Sequence, residues 1–213
     1  NIDIFKTIKA ANDGYIRDPI PFPSPGVGGP CLTKDPYIFD KSVDSKISEK
    51  SFFSNSRDIN ESMFEFIYKK VIIEMKRIDK KPEDSNLLVC GLGFKGFPET
   101  GDLRNSTSIE ISNLFNGKFN KIFGYDAVAS NEEIQEYNFS PYDISNGFKN
   151  IDVVLFLNNH KSFEKINLNL MLNSINNNPI IFDGWNLFEW KDIISIKNST
   201  YLGLSINKSS IKK

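Results

Sequence analysis

The sequence predicts an α/β protein: a helical first part followed by a doubly wound parallel sheet. Three observations carry this. After residue 85, short apolar runs at 86–91, 121–126, 152–157, 179–183 and 201–206 alternate with helical patterns at 106–115, 131–137 and 161–173. Strands alternating with helices at this pitch are joined by crossovers and lie parallel. Before it, 58–78 carries Phe64, Ile67, Val71, Ile72 and Met75 at i, i+3, i+4 spacing, one apolar face of a helix. Between the two lies Lys80-Lys81-Pro82-Glu83-Asp84-Ser85, a polar break with a proline. The chain therefore divides into residues 1–81 and 82–213.

In chain order, Ile2, Ile4, Phe5 and Ile8 are spaced like the end of a helix within 1–16. Residues 18–29 hold Pro19, Pro21, Pro23 and Pro25, then Gly26, Gly28 and Gly29, which neither a helix nor a central strand tolerates. A loop that long inside a folded domain is usually functional. A helix is expected to restart over 31–39. In the sheet half, Cys90 sits within the first strand as a buried, inert thiol. The second strand ends at Asp126, Asn176-Asn177-Asn178 forms a turn, and 209–213 is a frayed tail. Trp185 and Trp190 are expected to pack, and His160, after Asn158-Asn159 at a strand end, reads as an ordinary loop histidine or a ligand contact.

Composition excludes several classes. The 213 residues hold 26 Lys plus Arg against 27 Asp plus Glu, a net charge of −1, so no positive field marks nucleic acid as a main partner. No apolar run approaches the ~20 residues of a membrane helix. Two cysteines exclude a disulfide scaffold, and no metal-ligating cluster is expected. The first residue is Asn1 and no signal-peptide pattern follows, so the expectation is a piece of a longer cytoplasmic protein. Only four basic residues are Arg: Arg17, Arg57, Arg77 and Arg104. In a Lys-rich chain these mark either sites needing a planar, bidentate donor or ordinary surface positions.

Two stretches carry candidate chemistry. Ser24-Pro25-Gly26-Val27-Gly28-Gly29-Pro30-Cys31-Leu32-Thr33-Lys34-Asp35-Pro36 places a thiol after a glycine-rich turn. A helix N-terminus and Lys34 would favour the thiolate. Asp35, four residues on, would share its helical face and could activate water. The alternative is a small cysteine packed beside a turn. Farther on, Val89-Cys90-Gly91-Leu92-Gly93-Phe94-Lys95-Gly96 runs a strand into glycines, followed by Thr100-Gly101-Asp102-Leu103-Arg104-Asn105-Ser106. This reads as a nucleotide-binding turn with Lys95 available to phosphate, or as a structural turn with a solvated lysine.

The run Gly26 to Tyr37, with Ser56-Arg57-Asp58-Ile59-Asn60-Glu61-Ser62-Met63 after it and Gly91-Leu92-Gly93-Phe94-Lys95 and Thr100 to Ser106 later, resembles the UDP-glucose/GDP-mannose dehydrogenase family. Tyr125-Asp126 and Phe182-Asp183-Gly184 fit the same order, and the wording is most similar to the UDP-N-acetylhexosamine branch. The resemblance implies a central helical dimerisation domain over 1–81 and a C-terminal, Rossmann-like UDP-sugar-binding domain over 82–213. It implies NAD-dependent four-electron oxidation of a UDP-sugar C6 alcohol to the acid through a Cys31 thiohemiacetal and thioester, in a homodimer. It implies Cys31 as nucleophile and Asp35 in water activation. Gly28, Gly29, Phe94 and Lys95 would contact substrate, Arg104 would bind the NAD pyrophosphate, and Arg17 would reach the partner's substrate. The family's NAD-binding domain would lie upstream of Asn1. The stretch Asp183-Gly184-Trp185-Asn186 lacks the Arg many relatives carry there. The alternative is a UDP-sugar-binding, dimerising module without turnover.

Overall fold

The strands over 86–90, 153–156, 180–183 and 200–203 are buried on both faces, which is why they read in sequence as nearly unbroken apolar runs. Leu87, Val89, Val153, Leu155, Ile180 and Phe182 point into one core, and Leu88, Cys90, Val154, Phe156, Ile181 and Tyr201 into the other. The alternation is that of a pleated sheet sandwiched between two layers. A computed structural model describes residues 3–42, 51–168, 171, 174–189, 192, 198–205 and 207–209. Trp190, most of the expected tail, and parts of the helix expected over 161–173 lie outside them.

The strands are β1 (Asn86–Cys90), β2 (Lys121–Tyr125), β3 (Ser140–Pro141), β4 (Val153–Phe156), β5 (Ile180–Asp183), β6 (Thr200–Gly203) and β7 (Asn207–Ser209). They lie in the order β3-β2-β1-β4-β5-β6-β7. The first six run parallel, and β7 returns antiparallel beside β6. The chain winds outward from β1 in one direction through β2 and β3, then from β4 in the other. The switch point lies between β1 and β4.

The helices are α1 (Ile4–Asn12), α2 (Asp35–Ser42), α3 (Phe52–Arg77), α4 (Thr107–Asn113) and α5 (Asn131–Glu136). Ser51 caps α3 by accepting from the amides of Phe53 and Ser54, so the helix begins six residues before the expected 58. Helix α2 begins at Asp35 rather than at Cys31, with Pro36 in its first turn, where a missing N–H costs nothing. Ser130 and Glu133 close a capping box on α5. In place of the helix expected over 161–173, the described residues show a 3-10 turn at Phe163–Lys165 and helical conformation at Leu168 and Met171.

Ile67, Val71 and Met75 of α3 are fully buried in the core that also holds β1, β4 and β5. That face packs within the chain and is closed to a partner. Lys70 donates to the Gly203 carbonyl and Thr200 to Glu74, tying the helix to β6. At the start of the polar break, Lys80 donates to Asp152 at 2.6 Å, while Asp152 also accepts from the Asn86 amide and the Asn176 side chain. Among the described residues no helix is long and apolar enough to cross a membrane.

Asp152→Ala strips a largely buried ammonium of its carboxylate partner, leaving it the Asn177 carbonyl, and two N–H groups of their acceptor at once. Urea denaturation should show a loss of about 3 kcal/mol. A loss under about 0.5 kcal/mol would mean that this junction contributes nothing to stability.

Candidate functional site

Helix α3 holds the glycine-rich loop by the backbone of a single residue, Val27. The Val27 amide donates to Asn60 Oδ1 at 2.7 Å, and the Val27 carbonyl accepts from Asn60 Nδ2 at 3.1 Å and from Arg57 at 2.9 Å. Arg57, only 6% exposed, also donates to Glu61, which leaves its buried Nε without a partner among the described residues. Arg57 and Asn60 are thus loop-holding residues; the sequence marks Asn60 only as part of a helix start, and Arg57 also as one of the few arginines of a Lys-rich chain. Beside them a cavity of about 320 Å³ is lined by Gly28, Thr33, Arg57, Phe64, Thr107 and Glu110 among others.

From Val27 the chain passes directly over the loop that follows β1. The Gly29 amide donates to the Asn105 carbonyl at 2.9 Å, and Asn105 itself adopts a left-handed φ of 52°. Gly29 has φ 98°, and a Cβ there would lie 2.8 Å from the Phe94 ring; a Cβ on Gly28 would lie 2.5 Å from the Asn105 carbonyl oxygen. Both positions need glycine for close approach, and Gly29 for its dihedral as well. The structure thus brings Gly28, Gly29, Phe94 and the backbone beside Arg104 into one contact.

Two residues on, Cys31 is exposed and lies in a turn rather than in a helix. Its carbonyl accepts from the amides of Lys34 and Asp35, so the turn leads directly into α2. Lys34 pairs with Asp35, and this hydrogen bond, with the carboxylate's charge, raises the ammonium pKa; Cys31 adds a small contribution in the same direction. Cys90, by contrast, is fully buried in β1, and desolvation pushes its thiol pKa far up.

Lys95 reaches over its own neighbour, with its ammonium 5.3 Å from the Phe94 ring centroid. Arg104 is folded back on Asp102 through Nε and a terminal nitrogen at 3.0 and 2.7 Å, which brings the Asp102 carboxyl down to about 2. Its side chain is 71% exposed. Arg17 is exposed, beside Asp18 at 3.8 Å, and among the described residues no hydrogen bond or ion pair joins it to the other site residues.

Gly96 stands where the third glycine of a dinucleotide-binding turn stands, a match that a reading of Gly91-Leu92-Gly93 alone passes over. The structure departs from that motif. The loop after β1 runs on to residue 106 before α4 begins, so no helix N-terminus follows the glycines. Asp126, at the end of β2, accepts from the amides of Leu92, Gly93, Val128 and Ala129, leaving its carboxylate engaged by backbone. These residues do not fit a dinucleotide cradle for NAD; the exposed Arg104 is the one expected NAD contact in the chain. At the end of β5, Asp183 is buried and accepts from Tyr201 and from the amides of Trp185, Leu187 and Phe188. Trp185 donates to the Leu157 carbonyl at 2.8 Å, consistent with packing.

Comparison with known proteins adds to this geometry. Residues 88–190 match the model of the UDP-glucose/GDP-mannose dehydrogenase family, UDP binding domain. The chain is 25% identical over 189 residues to the UDP-N-acetyl-D-mannosamine dehydrogenase of Pyrococcus horikoshii, covering 88% of this chain and 41% of that protein. It is 27% identical over 184 residues to the enzyme of the same name from Methanococcus vannielii, covering 84% and 40%. The chain thus spans about two fifths of the length of these relatives. The solved UDP-D-ManNAc dehydrogenase from Pyrococcus horikoshii superposes with a TM-score of 0.73 at 24% identity, over 95% of this chain and 44% of that one. An NDP-N-acetyl-D-galactosaminuronic acid dehydrogenase from Methanosarcina mazei Go1 superposes with 0.76 at 22%, over 95% and 44%. These two likenesses establish the shared fold. The sheet half of this chain, through residues 88–190, belongs to the UDP-glucose/GDP-mannose dehydrogenase family as its UDP binding domain.

Proposed function

We propose that this chain is the substrate-holding and cysteine-bearing half of an NAD-dependent dehydrogenase that oxidises C6 of a UDP-N-acetylhexosamine. In this reading residues 1–81 are the dimerisation and cysteine-loop part and 82–213 the UDP-sugar-binding part. The observation that carries it is the seating of Gly29 on the Phe94 ring and the Asn105 carbonyl. That contact sets an exposed thiol two residues from the loop that follows β1 in the UDP binding domain. Phe94 and Lys95 hold the UDP-sugar, with Lys95 as the cation for phosphate. Gly28 and Gly29 let the sugar approach the backbone closely.

The chain's share of the chemistry is carbonyl capture and water attack. Cys31 Sγ adds to a C6 aldehyde: the S–C bond forms, the carbonyl electron pair moves to oxygen, and the thiol proton ends on that oxygen as a thiohemiacetal. Holding a reactive aldehyde covalently prevents its loss. Asp35, in the first turn of α2, orients the water that releases the acid. NAD accepts the electrons in the family's oxidations, and in this reading it is held by residues outside these 213, with Arg104 exchanging Asp102 for its pyrophosphate. Arg17 reaches the substrate of a second copy.

A second copy has a surface to bind. Phe52, Ile59, Phe66 and Ile73 of α3 are exposed, at 80%, 71%, 44% and 66%, and recur every seventh residue along the helix. A seven-residue apolar row is the pattern that pairs helices. This row, and not the buried face of Ile67, Val71 and Met75, is the homodimer seam.

Calorimetry with the 213-residue chain should show saturable UDP binding near the millimolar scale of ~4 kcal/mol. Lys95→Ala should weaken it further; equal affinity for UDP and adenosine diphosphate would overturn the assignment. Iodoacetamide should alkylate Cys31 and spare Cys90, and a saturating UDP-sugar should slow the reaction at Cys31; labelling indifferent to the UDP-sugar would remove Cys31 from the sugar's surroundings. Sedimentation should report a dimer that Ile59→Glu with Phe66→Glu converts to monomer. A wild-type monomer at tens of micromolar, on the order of the ~6–7 kcal/mol a weak dimer needs, would sink the seam.

A further inference from the structure

Strand order reverses between β1 and β4, and in a doubly wound sheet the loops leaving those two strands part there to make a crevice for ligand. Here they are fastened together. Four consecutive residues after β4, Asn158 to Lys161, each reach the loop after β1. Asn158, 3% exposed, donates to the Gly93 carbonyl at 3.3 Å, and its Oδ1 accepts from the His160 amide. Asn159 Oδ1 accepts from two successive amides, Gly96 at 3.0 Å and Phe97 at 3.1 Å. His160 Nε2 lies 3.0 Å from Glu99. The Ser162 amide donates to His160 Nδ1 at 3.1 Å, so the ring proton sits on Nε2 and is given to Glu99. Lys161 holds its ammonium 4.0 Å from the Phe97 ring centroid. A Cβ on Gly96 would lie 2.0 Å from the His160 amide nitrogen, so the two loops touch backbone to backbone.

Asn158, Asn159 and His160 thus occupy the junction between the two loops. The same loop carries Phe94, against which Gly29 packs, and Lys95. Among the described residues, the Phe94 amide donates to the Asp102 carbonyl, and Lys95 lies over Phe94. The next two peptide N–H groups of that turn, Gly96 and Phe97, are both held by one side-chain oxygen.

We propose that Asn159 is the positioning residue for the Phe94–Lys95 turn, with His160–Glu99 and Lys161–Phe97 as its outer fastenings, and that this clasp sets the affinity for the UDP-sugar. The proposal rests on the function read above. A loop whose two amides lose their acceptor must find water for them, and its side chains then have to be ordered on binding.

UDP titration by calorimetry, with thermal unfolding measured in parallel, tests it. Asn159→Ala should raise the UDP Kd about tenfold. Asn159→Asp, which keeps an oxygen facing the two amides, should bind within about threefold of wild type. Glu99→Ala, at a side chain 71% exposed and safe for folding, should weaken UDP measurably without moving the unfolding midpoint. Wild-type binding with Asn159→Ala within about twofold of it overturns the proposal. So does an Asp variant as weak as the Ala variant. If Asn159→Ala fails to fold, Glu99→Ala decides, and an unchanged Kd there overturns it. Failure of wild type to prefer UDP over adenosine diphosphate is a separate outcome that sinks the functional reading and this proposal with it.

Discussion

The contact between Gly28-Gly29 and the loop after β1 is the constraint on which the rest of the site depends. It is a backbone contact, with the Gly29 amide on the Asn105 carbonyl and the glycine face against the Phe94 ring. It has almost no room to adjust, because a single methyl at either glycine collides with a carbonyl or a ring. Its strength comes from both sides being held. Val27, next door, is fixed by Arg57 and Asn60, and Phe94 lies in a loop fastened to the loop after β4 by Asn159 and His160. The exposed thiol of Cys31 is therefore located by α3 and the sheet together, and α3 is located by Ile67, Val71 and Met75 in the sheet's own core.

The parts legible in sequence were those whose physics is local or fully apolar. Strands β1, β4, β5 and β6 announced themselves because central parallel strands are buried on both faces and read as apolar runs; the half-buried β2 was legible from Ile122, Phe123 and Tyr125 before Asp126. Strands β3 and β7 did not: two or three residues at the sheet margins leave no periodicity to read, and Pro141 argues against a central strand while suiting the edge position β3 takes. The start of α3 was hidden because Ser54-Asn55-Ser56 looks like a loop, while the residue that decides it is the Ser51 cap. The restart at Asp35 instead of Cys31 was signalled by Pro36, a first-turn residue of a helix.

In the site, the glycines, the cysteine, Phe94, Lys95 and Arg104 could be named from motif alone, and the structure gathers the two glycines with Phe94. What sequence reading could not supply was the set of partners. Asn159 meets Gly96 across 63 residues, His160 meets Glu99 across 61, and Asn60 meets Val27 across 33. These pairings exist only because the winding order puts β4 beside β1 and lays α3 along the sheet. His160 accordingly proves neither an idle loop histidine nor a residue facing open crevice; it is engaged with Ser162 and Glu99 on its two ring nitrogens.

Helix α3 shows how one segment can serve several faces without conflict. Successive residues of an α-helix are turned by about 100°, so the row of Phe52, Ile59, Phe66 and Ile73 stands about that far around from the row of Ile67, Val71 and Met75. The inner row repeats every fourth residue and meets the sheet; the outer repeats every seventh and stays exposed. Arg57 and Asn60, one turn apart near the N-terminal end, continue the inner face and reach Val27 where the sheet core ends. Because a straight helix drifts about 20° per seven residues, the outer row winds gradually around the helix over its three intervals. A partner helix that follows that row must cross at a shallow left-handed angle of about 20°. The buried row cannot follow, since the sheet fixes it. The geometry of any pairing through α3 is therefore decided by the core of each chain before the two chains meet.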